Sequence, residues 1–317
     1  MLTALASTDA VTWLSICVKA LVYAASLVAM GSIISILALR RLPASEVHVL
    51  GRLAALCAVA AALLSLARLP LRASFLMGGT WQGATDPMML SMVSQSPLGS
   101  SITLRIVGLV LICAILLPAR LGRLGRPLAS LGVLIVAASF VLRGHALEEP
   151  RLLLAALIAL HILGLAFWIG AFAPLYRLSA GHTGNAAGQV AHDFGRMALW
   201  VVGALTVAGG VTLWLLTGDI LLAVSTPYGQ FFALKLGVFL AVIALAAWNK
   251  LHVTPALLRQ EPGAGAHLRR SIRIEAAFVA VILLTTATLT TVSAPEAPDE
   301  TGMAEGAALI INTNMRG

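Results

Sequence analysis

The feature that most constrains this chain is a succession of about eight long apolar runs, at residues 11 to 39, 48 to 69, 101 to 118, 128 to 143, 151 to 175, 194 to 217, 228 to 249 and 272 to 292. A helix needs roughly 20 apolar residues to cross a hydrocarbon layer about 30 Å thick, with every backbone polar group satisfied inside the segment. Strands crossing the same layer would alternate polar and apolar side chains, which these runs do not. The expected fold is all-α, a polytopic membrane helix bundle of about eight transmembrane helices over residues 1–292, followed by a disordered tail at 293–317. Composition agrees: 59% of the residues are hydrophobic and 11% charged, where a soluble domain carries about a quarter charged. The opening MLTALASTDA has no basic segment and the first run is too long for a signal-peptide core, so it is expected to stay as an anchor.

Charge placement sets the expected orientation, because short cytoplasmic loops collect Lys and Arg. Alternate connections put Arg40, Arg41, Arg120, Arg123, Arg126, Arg177, Arg196, Lys250, Arg259, Arg269, Arg270 and Arg273 on one side, against Arg72, Arg143 and Arg151 on the other. Both termini are therefore expected outside. The net charge of +8 is spent in those cytoplasmic loops, with no basic stripe interleaved with aromatics, so nucleic acid is not an expected partner. No GxSxG, Walker A or HExxH motif is present, and no loop is large enough for an ATP site, so no enzyme activity is expected.

Two outer connections carry chemistry. Residues 70–100, PLRASFLMGGTWQGATDPMMLSMVSQSPLGS, form a long Gly- and Ser-rich segment expected to cap the outer mouth. It holds Met77, Met88, Met89 and Met92, with Met88 and Met92 one turn apart if helical. Thioethers are soft ligands that select Cu(I), and they are equally good filling for an amphipathic cap. The second connection, RGHALEEPR at 143–151, places His145 beside Glu148 and Glu149 before Pro150, a residue suited to the first turn of the next helix. His145 reads either as a solvated loop residue or as the entrance to a metal path.

An ionisable group inside a span costs at least about 2.5 to 3.5 kcal/mol for Lys, Arg or Asp, so each one asks for a partner, a cavity or a function. Lys19, His161, Lys235 and Glu275 qualify, whereas Arg52, Arg68 and Arg105 near span ends are expected to snorkel. His161 lies some ten residues past Pro150, about 15 Å deep, with Trp168 seven residues on along nearly the same face and Gly164 between them. Two readings stay open: a neutral imidazole bonded to a neighbouring helix, or a metal ligand. Cys17, Cys57 and Cys113 each sit alone in a span and read as small buried residues.

The stretches GHA at 144–146, LHILGLAFWIGAF at 160–172, TPYGQFFALKLGVF at 226–239, WNKLHVTPAL at 248–257 and LRRSIRIEAAFVAVILLTTATLTTVSAP at 268–295 resemble the copper resistance protein D family. The resemblance covers a core at roughly 140–295, while the first half is similar mainly in hydropathy and length. It implies a multi-pass protein of the bacterial inner membrane, which makes the outside termini expected from charge periplasmic, moving copper, as Cu(I) or Cu(II), from periplasm to cytoplasm. It also implies a small periplasmic copper-binding protein as partner in many relatives. The matching positions are His145, His161, Trp168, Tyr228, Lys235, Asn249 and Glu275. The expected function is copper transport along a path lined by His145, His161, Met88, Met89 and Met92, with Trp168, Tyr228, Lys235, Asn249 and Glu275 as pathway or structural polar residues. A haem-binding redox protein and a non-transporting membrane scaffold are the alternatives.

Overall fold

The computed structural model describes residues 10–117, 122–142, 151–181, 185–217 and 227–292, with the backbone alone described at 122, 212–217, 227–235, 289 and 292. Among the described residues there is no strand, and eight helices are long and apolar enough to cross a membrane. In chain order the helices are α1 (Ala10–Ala38), α2 (Ala44–Leu76), α3 (Trp81–Thr85), α4 (Pro87–Gln95), α5 (Pro97–Ile112), α6 (Gly122–Val141), α7 (Arg151–Gly170), α8 (Phe172–Leu178), α9 (Ala186–Thr217), α10 (Pro227–Trp248), α11 (Thr254–Leu258) and α12 (Ala264–Val292). A 3-10 turn, Cys113–Leu116, extends α5, and a π turn, Asn249–Val253, joins α10 to α11.

Helix α1 is central, packing against α2, α6, α7 and α12. Its Leu27, Met30 and Ile33 meet an alanine stripe on α2, Ala54, Ala58 and Ala61, whose spacing keeps small side chains on one face so that two backbones can approach. The crossing with α7 is tighter still: a Cβ on Gly31 would run into the carbonyl oxygen of Ala166, and one on Gly170 into that of Gly31. Gly108 and Gly132 do the same for α5 and α6, where a Cβ on Gly108 would stand 2.8 Å from the Gly132 oxygen. Lipid is as apolar as leucine, so such close van der Waals contact is what holds helices together.

Most helices run beyond the apolar stretch that announces them. α9 begins at Ala186 and α12 at Ala264, each eight residues before its apolar run at 194 and 272. Backbone hydrogen bonding continues where hydropathy ends. The fifth run is interrupted at Ala171, because Pro174 has no N–H to offer the Gly170 carbonyl. The widened π turn precedes Pro255 in the same way, and the Thr254 N–H reaches back to the Asn249 carbonyl.

The long connection at 70–100 is helical through most of its length. α2 persists to Leu76, and three side-chain caps then restart the chain: Thr80 accepts from Gly83 N, Asp86 from Met89 N at 2.8 Å, and Ser96 from Leu98 N. Val93 and Met89 pack with Ala73, Leu98 and Ile102, so this cap covers the α2–α5 corner.

At the opposite end, Arg41 meets Asp193 at 3.6 Å, Arg177 meets Glu46 at 3.0 Å, and Arg269 Nη1 donates to the Ser179 carbonyl. These contacts tie the basic stretches around Arg41, Arg177 and Arg269 to their neighbours.

Candidate functional site

Four polar side chains meet near the basic end, where α7, the π turn and α12 converge. Trp168 donates its Nε1–H to Glu275 Oε2 at 3.1 Å. Asn249 Nδ2 donates to Glu275 Oε1 at 2.9 Å and to Ser271 Oγ at 2.7 Å, and the Ser271 hydroxyl donates to Glu275 Oε1 at 3.4 Å. Glu275 is 4% exposed, and Trp168 and Ser271 are buried too. Among the described residues no cationic group lies within ion-pair distance of the carboxylate. Its partners are neutral donors.

Local sequence explains this convergence. Ser271 and Glu275 are one turn apart on α12 and so share a face. The π turn shifts the helical register at Asn249, and α7 ends two residues after Trp168, before Pro174 bends the chain. Phe194 of α9 covers Trp168, ring edge to face at 5.5 Å, and stacks on Phe167 at 5.2 Å.

Beside the cluster is a cavity of about 160 Å³, half open, walled by Trp168, Phe194, Asn249, Lys250 and Glu275 and otherwise mostly apolar. One polar atom of a lining residue is left over: Asn249 Oδ1 is buried and, among the described residues, has no hydrogen-bond partner.

The other candidate residues are dispersed. Met88 and Met92 are both exposed on α4, at 81% and 52%, one turn apart, while Met89 turns into the cap. His161 is on an exposed stretch of α7 and lines neither the cavity beside Trp168 nor the apolar groove around Gly164. Its same-face relation to Trp168 does not give the two a common environment. Gly164 between them seats Leu205 of α9, whose side chain a Cβ there would meet at 2.9 Å, and Phe194 then covers only the Trp168 end. Tyr228 and Lys235 belong to the first turns of α10, where the backbone alone is described. His145 lies outside the described residues. Among the described residues no three His, Cys, Asp or Glu side chains come together as a metal-holding group.

Sequence reasoning missed three things here. Ser271 was legible as a hydroxyl one turn from Glu275. The π turn was signalled by Pro255. Arg68 and Arg105 are buried rather than reaching water: Arg105 Nε donates to Ser139 Oγ at 3.0 Å and the guanidinium lies 4.2 Å from the Phe140 ring centre.

A family model for copper resistance protein D matches residues 188–289, and one for the N-terminal domain of copper resistance protein D-like proteins matches residues 7–150. Together they span most of the chain. Asn249, Ser271 and Glu275 lie in the first stretch and the cap methionines in the second, while His161 and Trp168 lie between the two. No curated protein and no solved structure matches the chain significantly.

Proposed function

The chain belongs to the copper resistance protein D family, and from that premise we propose that it carries copper across the bacterial inner membrane, from periplasm to cytoplasm, as cargo and without covalent catalysis. The observation that carries the reading is the pair Met88 and Met92, two exposed thioethers one turn apart on α4, remote from the basic connections. Thioether sulfur favours Cu(I) over hard cations, and a two-donor contact collects an ion without trapping it, as a conduction path requires. The basic loops mark the cytoplasmic side. The cap and both termini are then periplasmic, within reach of a small periplasmic copper-binding donor. His145 and His161 continue the proposed path, and the cavity beside Trp168 lies toward its inner end.

The test is copper accumulation in cells at limiting copper. The double substitution Met88→Leu and Met92→Leu keeps side-chain volume and removes both sulfurs, and His161→Ala removes the imidazole. Each is expected to lower accumulation while the amount of protein in the membrane is unchanged. Accumulation equal to the parent protein in all variants contradicts the path.

A further inference from the structure

Glu275 is built to hold its carboxyl group in either protonation state. As a carboxylate it accepts from Trp168 Nε1, Asn249 Nδ2 and Ser271 Oγ, with Oε2 taking a single bond and keeping a lone pair open. As an acid it becomes a donor and needs a buried acceptor. The cluster already contains one that has no partner among the described residues, Asn249 Oδ1. Rotating that amide by half a turn exchanges its oxygen and nitrogen, so that Oδ1 faces Glu275 in place of Nδ2. The Ser271 hydroxyl rotates to suit. Glu275 is therefore hydrogen-bonded in both states with one amide flip as the heavy-atom rearrangement, and the Asn249 atom turned away from it is the one left over in each.

The surroundings favour reversible exchange over a fixed ion pair. From α7 the neighbour is Trp168, from α9 Phe194 and Gly195, and from the π turn Asn249 and Lys250. Among the described residues lining the cavity, Lys250 is the other ionisable group, and it is exposed. The cation of α1, Lys19, is bonded to the Thr290 carbonyl at 2.7 Å, about 22 Å further along α12. The half-open cavity gives a proton somewhere to go.

We propose that Glu275 is a reversible proton-binding site, exchanging a proton with water in the cavity at the basic end of the bundle, and that this exchange accompanies copper passage. The step is balanced: the carboxylic acid releases one proton to cavity water and becomes a carboxylate, and the reverse step restores it. Coupling to copper rests on the transport reading, but the proton site itself does not.

The two are separated by using two readouts on the full chain. Infrared difference spectra of the copper-free protein in lipid nanodiscs, taken across a pH titration, are expected to show a carboxylic-acid carbonyl band that appears and disappears reversibly. That band is expected to be lost in Glu275→Gln, shifted in frequency in Glu275→Asp, and moved in midpoint in Trp168→Phe, which keeps the acid and removes a donor. In proteoliposomes loaded with a pH-sensitive dye, copper entry is expected to change internal pH in the parent protein and not in Glu275→Gln. Absence of a titrating band that responds to any of the three substitutions overturns the site. A titrating band with copper entry that leaves pH unchanged overturns the coupling.

Discussion

Gly31 and Gly170 stand at one extreme of helix packing in this molecule, and Gly203 at the other. At the α1–α7 crossing a single methyl group has no room, because each glycine lies against the backbone of the other helix. At Gly203, on α9, no atom of the described residues beyond its own stretch of helix comes within 4 Å of where a Cβ would be. The same contrast runs through the helices around them: 56% of the apolar stretch of α1 is buried inside the chain, against 11% in α9 and 11% in the span Leu236–Leu258, which runs from α10 through the π turn into α11. One part of the bundle is held by backbone contact. The other rests more thinly on it, and the cavity and the Glu275 cluster lie at the seam. A site that exchanges its occupant belongs where one wall can move, and the fixed wall is supplied by α1 and α7.

Substitutions can break that comparison, and the largest effect is expected at Gly170→Leu. Overpacking a close crossing costs typically about 1–3 kcal/mol and occasionally more, and here the obstacle is backbone. The variant is expected to lose monodisperse folded protein on size exclusion, whereas Gly203→Leu is expected to keep it. Equal behaviour of the two would remove the distinction between the regions. At the seam, Trp168→Phe keeps an aromatic ring, though a smaller one, and deletes the bond to Glu275. A hydrogen bond to a charged group contributes about 1.5–3 kcal/mol, so a lower melting temperature in detergent is expected together with reduced copper uptake. Within the packed part, Ser139→Ala withdraws the oxygen that accepts from the charged Arg105 Nε, at an expected cost of similar order, about 1.5–3 kcal/mol. That variant should lower the melting temperature and leave copper uptake per folded molecule unchanged, which separates packing from function. The smallest effect is expected at Arg41→Ala. Its pair with Asp193 is 3.6 Å long and the Arg41 side chain 55% exposed, so stability should fall by less than about 1 kcal/mol.

How much of this was readable in advance follows from which forces act locally. The eight spans were legible because transfer into lipid is a property of each run by itself. Their ends were not, since α9 and α12 continue as helix through polar sequence. Trp168, Asn249 and Glu275 could be picked out one at a time, two as family-matched positions and Glu275 also as a carboxyl group in a span. Their meeting could not, because it depends on how α7, the π turn and α12 converge. His161 shows the opposite limit. Its depth and its spacing from Trp168 were computed from one helix, but burial is decided by the neighbour, and α9 covers one of the two residues and leaves the other exposed. Arg105 was expected at the water surface and is instead enclosed by Ser139 and Phe140, partners no single-helix reading would supply.

The most direct test of copper carriage is metal entry into proteoliposomes containing the purified full chain, measured for copper and for zinc, with and without a reductant. The account predicts copper entry above protein-free vesicles, strongest with the reductant, little zinc entry, and loss of the copper signal when Met88 and Met92 are both leucine. Copper entry no greater than in protein-free vesicles under either condition would contradict it.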